Sequence, residues 1–385
     1  MVPGPFKREL QLGKVRSSAF LFGPRMTGKT TLLLSLSAKR YYDLLDSEIE
    51  LPLRQSPRLL WEEIQSLPRG SLVIIDEVQR IPSLLDGVQR GIDQLHHRFI
   101  LSGSSARKLK RGGANLLGGR ALNLKLHPLT VREIGSAFDL KKALHYGTLP
   151  NIENFLYDQN VEEVRRLLKS YVTIYLKEEI QAEAITRNLG AFQRFLSIAA
   201  QSNAQIIEFA NISRECSVPM STVKEYYQIL EDTLLGEFVW PYDRSERKKA
   251  RPKFYFFDCG VVCAMQNRLM DAPTPVEQGF LFETWFFREL IRIRDYAEKD
   301  HNITLWREKE KEIDFLIMGG RGPLLAIECK SSHAEIATPT THAFRKQFPK
   351  VPLVVASLID KQSRRLDSGL EIHPWQTVLE MYRGL

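Results

Sequence analysis

Apolar and polar positions first fall into a clear pattern at Ser18-Ala19-Phe20-Leu21-Phe22, a strand-length run followed by a glycine-containing loop and an apolar helix start at Leu32. Two further runs follow, Leu72-Val73-Ile74-Ile75 and Phe99-Ile100-Leu101, with helical stretches such as SLLDGVQRGIDQL between them. Continuous apolar strands separated by helices predict a parallel sheet buried on both faces, hence an α/β domain over 1–135. In VEEVRRLLKSYVTIYLKEEI the apolar residues recur at spacings of three and four, so 136–200 reads as a helical segment, punctuated near its start by Gly147 to Asn151.

Over 201–269 short helices alternate with turn residues. VPMSTVKEYYQIL opens on Pro219 with a Ser221 or Thr222 cap, and Glu225 stands three residues after Thr222 as in a capping box. It resembles the second helix of a helix-turn-helix, and the strands FVWPY and KFYFFD around RSERKKARPK complete the order of a winged helix. Met270 to Pro275 reads as a linker. The last segment, 270–385, opens on the helix EQGFLFETWFFRELIRIRD and continues into strands.

One hairpin breaks the apolar pattern. EIDFLIMGGRGPLLAIECK, residues 312–330, places a carboxylate inside each strand. With a turn centred on Arg321, residue n faces residue 642 − n, which sets Asp314 opposite Glu328. Alternation then groups Asp314 with Glu328 and Lys330, and Ile313, Phe315, Ile327 and Cys329 on the other face. Two carboxylates roughly 5 Å apart repel by about 3 kcal/mol at an effective dielectric of 20, more than a good cross-strand pair returns. A cation is expected between them, supplied in part by Lys330 and in part by a divalent ion on oxygen ligands.

The chain's 385 residues allow two or three domains, and its 43% hydrophobic and 26% charged residues are ordinary for a globular protein. A net charge of +8 favours a polyanionic partner without naming one. No apolar run approaches a membrane span and the first residues lack the order of a signal peptide, so a cytoplasmic protein is expected. Cys216, Cys259, Cys263 and Cys329 form no CxxC pair or zinc spacing and read as reduced core residues. His96 and His97 read as capping or surface residues at a helix end.

Gly23-Pro24-Arg25-Met26-Thr27-Gly28-Lys29-Thr30 matches GxxxxGK[ST] between a strand and a helix, the context a phosphate loop requires. Successive N–H groups would surround the β-phosphate of ATP, with Thr31 continuing the contact, Lys29 neutralising the β/γ-phosphates and Thr30 ligating Mg²⁺. A second apolar strand ends in Asp76 and Glu77: Asp76 would hold the Mg²⁺ shell and Glu77 would orient or deprotonate the attacking water. Ser104 has two readings, a group polarising water or γ-phosphate, and an ordinary turn serine. Arg120 likewise reads as an arginine finger reaching a neighbour's nucleotide, or as a surface or nucleic-acid-contacting residue. Arg25 either touches phosphate or is solvated.

Arg244, Arg247, Lys248, Lys249, Arg251 and Lys253 place six cations in ten positions with Glu246 opposing, suited to phosphate contacts or to a solvated loop. Lys224 and Gln228 on the preceding helix are candidate groove contacts.

With GPRMTGKT, IIDEVQRIP, LSGSSARKL, YLKEEI and EIDF…IECK in this order, the sequence resembles a prokaryotic family of AAA-type ATPases that join an N-terminal P-loop domain to a C-terminal PD-(D/E)XK restriction-endonuclease-like domain. The resemblance covers nearly the whole chain. It implies an AAA-like core, an intervening winged helix and a C-terminal α/β nuclease-like domain, with proposed roles in DNA repair or processing. On the matching positions, Lys29 and Thr30 fall on Walker A, Asp76 and Glu77 on Walker B, and Ser104 on the sensor. Asp314, Glu328 and Lys330 fall on the nuclease motif, with Glu283 as its helix acid. That centre would use Asp314 and Glu328 to hold Mg²⁺ or Mn²⁺. Ile313 stands where the family's usual proline precedes the first motif acid. The expected function is a Mg²⁺-dependent ATPase that binds nucleic acid, DNA first, and cleaves it, with a homo-oligomer implied by the AAA type. The alternative is a nucleotide-dependent switch or scaffold with a catalytically silent C-terminal domain.

Overall fold

A computed structural model describes residues 6–385 except 105–108, 110–116, 176–188, 243–250 and 334–335. The chain forms two compact units, one from residues 1–134, 149–154 and 229–235, the other from 135–148, 155–228 and 236–385.

The first unit is built on a five-stranded sheet ordered β2-β3-β4-β1-β5. Its strands are β1 (Ser18–Phe22), β2 (Arg40–Asp43), β3 (Leu72–Asp76), β4 (Arg98–Gly103) and β5 (Ala121–Lys125), and every pairing is parallel. The three strands expected from their apolar runs are the three central ones, because only interior strands are covered on both faces. Edge strands β2 and β5 are partly exposed along their length and so show no such run. Helix α1 (Lys29–Leu34) follows the glycine loop, and α2 (Leu84–Leu95) leads into β4. His96 ends α2 in the left-handed conformation. His97 is core rather than surface: the residue is 2% exposed and its Nε2 lies 3.0 Å from Ile64 O.

In the second unit, helices α3 (Leu189–Gln201), α4 (Phe209–Cys216) and α5 (Met220–Asp232) as far as Gln228 precede the antiparallel pair β6 (Gly236–Val239) and β7 (Lys253–Phe256). Helix α5 begins at Met220, so Thr222 lies inside its first turn instead of capping it. Rings of Phe192, Phe195, Tyr227, Phe238 and Phe254 interlock the helices and the strand pair. Gly236 is required there, since a Cβ would meet the Phe254 ring at 2.2 Å.

Helix α6 (Pro275–Tyr296) starts with a full capping box, Thr274 with Glu277. A six-stranded sheet ordered β12-β13-β11-β10-β9-β8 follows, with β8 (Asn302–Glu308), β9 (Lys311–Gly319), β10 (Gly322–Lys330), β11 (Leu353–Ser357), β12 (Arg364–Arg365) and β13 (Glu371–Pro374). Helix α7 (Thr338–Gln347) connects β10 to its parallel neighbour β11, and α8 (Trp375–Gly384) ends the chain.

The expected hairpin register holds where it matters. Ile327 faces Phe315 and Ala326 faces Leu316, both pairs summing to 642, although the turn itself pairs Gly322 with Gly319. A register shift between Pro323 and Leu325 reconciles the two. Strict alternation fails at a second shift, between Thr304 and Trp306 against β9. Ile313 and Leu316 both pack with Trp306 and Phe344, whereas Phe315 stacks on Phe287 of α6. Ile313 and Phe315 therefore do not share a face, and the irregularity leaves Asp314 on the α6 side with Phe315.

The four cysteines are free thiols, three of them buried. Among the described residues no helix is long and apolar enough to cross a membrane.

Candidate nucleotide site and acid cluster

The loop after β1 has the geometry its glycines dictate. A Cβ on Gly23 would stand 2.4 Å from Leu126 O, and Gly28 holds φ at 88°, a left-handed value that side chains resist. Met26 is left-handed as well, at φ 66°. Lys29 Nζ reaches back across the loop to Gly23 O at 2.8 Å and Pro24 O at 3.1 Å. Arg8 braces the loop from outside, donating to Thr27 O at 2.7 Å while its Nε pairs with Glu133 at 3.0 Å. Beside the loop lies a cavity of about 650 Å³, lined by Arg8, Leu12, Gly28, Thr31, Pro150 and Asn154, of the size that takes a small ligand. Arg25 lies partly exposed on the loop.

Three strand ends converge on Asp76. Its Oδ2 accepts from Thr30 Oγ1 at 2.8 Å and from Tyr41 Oη at 2.7 Å, and its Oδ1 accepts from Ser102 Oγ. Burial, then the bond to Asp76, drives the Tyr41 hydroxyl above its ordinary range, so it stays a donor. Glu77 adopts a left-handed conformation, φ 60°, and its Oε2 accepts from Gln79 Nε2. The donor set fits Mg²⁺: Thr30 Oγ1 and Asp76 Oδ2 already share one point at the mouth of the loop, and both are hard oxygens. Bound there, Mg²⁺ would neutralise phosphate charge.

Ser104 is buried just past the end of β4, while it is Ser102 that touches Asp76. Arg120 stands in the turn just before β5 and pairs with Asp93 at 2.8 Å.

The second unit gathers the expected nuclease-motif residues into one cluster. Asp314 N donates to Glu328 Oε2 at 3.3 Å, Cys329 N donates to Asp314 Oδ2 at 2.9 Å, and Lys330 Nζ pairs with Glu328 at 2.9 Å. A cation does meet Asp314, but it is Lys253, and it joins Asp314 to Glu283 and Glu312, while Glu328 keeps Lys330. Lys253 Nζ lies 2.7 Å from Glu283, 2.7 Å from Glu312 and 3.0 Å from Asp314. Tyr255 Oη also donates to Glu283, and Arg307 pairs with Glu312. Burial opposes the Lys253 charge, yet Glu283, Tyr255, Asp314 and Glu312 together raise its pKa well above the ordinary value. Burial, then the Asp314 charge, pushes both Glu283 and Glu328 upward.

Lys253 was expected on a phosphate-contacting loop; a buried Nζ engaged by three carboxylates cannot serve there, which corrects that expectation. For a divalent ion between Asp314 and Glu328 the fit is poor. Ammonium occupies the approach to Asp314, and among the described residues no group of three or more His, Cys, Asp or Glu side chains is arranged to hold a metal ion.

Residues 16–135 match the family described as AAA domain. Over these residues the chain is similar to AAA domains, and its parallel sheet and glycine loop have the P-loop arrangement. Residues 137–271 and 278–377 match two domains of unknown function, DUF8612 and DUF4143. An uncharacterized protein of Mycobacterium bovis is 27% identical over 248 residues, 63% of this chain and 54% of that protein. The chain thus spans about half the length of that relative. An uncharacterized protein of Methanocaldococcus jannaschii is 23% identical over 338 residues, 80% of this chain and 73% of its own. Among solved structures, the Aeropyrum pernix ORC1 protein in complex with DNA shares 13% identity over 66% of this chain and 86% of its own, at a TM-score of 0.34. Drosophila ORC bound to DNA, at 13% identity, covers 65% and 90% with a TM-score of 0.22.

Outside the AAA domain, Lys224 and Gln228 are exposed one turn apart on α5, with Lys224 Nζ 5.5 Å from the Phe209 ring centroid. Arg251 is exposed and pairs with Glu208 at 2.5 Å. Arg244, Arg247, Lys248 and Lys249 lie outside the described residues. Sequence reasoning missed Tyr41, Ser102, Gln79, Arg8, Tyr255 and Glu312. Only Glu312 carried a local signal, standing two residues before Asp314 in the same strand.

Proposed function

We propose that the chain is a Mg²⁺-dependent ATPase that binds nucleic acid, DNA in the first instance, and works as a homo-oligomer. The observation that carries the ATPase reading is the meeting of Thr30, Asp76 and Tyr41 at the open end of β3, beside a loop whose Lys29 already lies across the phosphate position. ATP would seat its phosphates on residues 23–31 and its nucleoside in the adjoining cavity. Lys29 would exchange its carbonyl partners for phosphate oxygens, Asp76 would hold the ion's water shell, and Glu77 would take the proton of the attacking water. Ser104 would polarise the γ-phosphate. Arg120 and Arg25 are proposed phosphate contacts, Arg120 across a subunit boundary.

The nucleic-acid reading rests on the +8 net charge, on the exposed Lys224, Gln228 and Arg251, and on the cations Arg244, Arg247, Lys248 and Lys249 that precede Arg251 in the sequence. The order of three helices and a strand pair supports a winged helix, and the run α6, β8 to β10, α7, β11 supports a nuclease-like domain. A specific observation favours the second reading, a nucleotide-dependent switch or scaffold whose nuclease-like domain does not cut: Lys253 stands among the acids that cleavage would need.

The expected result is phosphate release from ATP in Mg²⁺, with DNA binding at low salt that weakens steeply as salt rises and alters turnover. If neither DNA nor RNA binds at low salt and neither changes turnover, the nucleic-acid part is abandoned.

A further inference from the structure

We infer that Lys253 Nζ is the resident cation of the acid cluster in the second unit, standing where a divalent ion would sit, so that wild-type protein holds these carboxylates without a metal. This deepens the second reading above and is independent of the ATPase reading.

An ammonium group has three N–H donors, and Nζ meets three carboxylates at 2.7, 2.7 and 3.0 Å, so its capacity is used up. Those lengths suit N–H···O bonds; Mg²⁺ would draw its oxygens to about 2.0–2.1 Å and demand octahedral order. Charge also balances nearly without a metal. Glu283, Glu312, Asp314 and Glu328 are met by Lys253, Lys330 and Arg307.

Nor is Lys253 a side chain that swings in by chance. Its strand is pinned on both sides: Phe256 N donates to Asn203 Oδ1 at 3.0 Å, Asn203 Nδ2 donates to Thr284 Oγ1 at 2.7 Å, and Arg288 Nε donates to Phe256 O at 2.7 Å. Asn203, Thr284 and Arg288 are all buried. Because Thr284 and Arg288 lie on α6 within five residues of Glu283, the bonds that fix β7 also fix Nζ against the acid.

The test is Mn²⁺ uptake by full-length, nucleotide-free protein, read from loss of the free-ion EPR signal. Wild type should show no uptake that Asp314→Asn or Glu283→Gln removes. Lys253→Met, which keeps the stem and drops the charge, should gain about one Mn²⁺ per chain, and Asp314→Asn added to it should remove that ion again. Mn²⁺ should also raise the melting temperature of Lys253→Met and not that of wild type. Asp314-dependent uptake by wild type overturns the inference, as does folded Lys253→Met that gains no ion. Should Lys253→Met fail to fold, the wild-type comparison with Asp314→Asn still decides. Phosphate release plays no part in these readouts, so failure of the ATPase reading would leave them untouched.

Discussion

Lys253→Ala is expected to destabilise the second unit by about 3–5 kcal/mol in the absence of added metal. Removing one partner of a buried ionic cluster strands the others: Glu283, Glu312 and Asp314 would lose their shared donor while remaining largely out of water. The methylene stem adds a packing loss, since Lys253 begins a strand buried at all four positions. Four of the five tryptophans, Trp240, Trp285, Trp306 and Trp375, belong to this unit. Urea unfolding followed by tryptophan fluorescence therefore reports on it. Lys224→Ala, an exposed control, should move the transition by less than about 0.5 kcal/mol. A Lys253→Ala midpoint as close to wild type as the control's would mean that Nζ does not hold these acids together.

The second large effect is expected at Glu77. Glu77→Gln keeps the size of the side chain but removes its ability to take a proton, so ATP should still bind while turnover falls about 10²–10⁴-fold. The backbone at this position is left-handed, held between buried Asp76 and the short turn that follows, so the substitution changes chemistry with little change of shape. Gln79 remains beside it and can bond an amide as it bonds the carboxylate. Fluorescent nucleotide binding and phosphate release, measured on one preparation, separate the two effects. Unchanged turnover in Glu77→Gln would place the general base elsewhere.

What the sequence made legible was local or central. The phosphate loop could be read because its glycines answer a backbone demand within eight residues, and β1, β3 and β4 because each interior strand carries an unbroken apolar run of three or more residues. The Asp314 and Glu328 register survived an incorrectly placed turn because the irregularity near Leu325 shifted the pairing back. Non-local partners stayed hidden. Tyr41 and Ser102 meet Asp76 only because β2 and β4 flank β3, an order that no periodicity encodes. Lys253 lies 61 residues from Asp314, and its position in a charge-rich stretch suggested solvent and phosphate. The aromatic run directly after it, Phe254-Tyr255-Phe256-Phe257, was the one available sign that the strand is interior.

The AAA-type site stands on short-range sequence and on converging strand ends, whereas cleavage would require the acid cluster to exchange a well-seated lysine for a metal ion.

The most direct test of the central claim is phosphate release from ATP by purified wild type and Lys29→Ala, side by side in Mg²⁺. The loop geometry predicts Mg²⁺-dependent release by wild type and loss of at least about 10²-fold in Lys29→Ala, because the charge facing the β/γ-phosphates is gone. Equal release by the two proteins would contradict it.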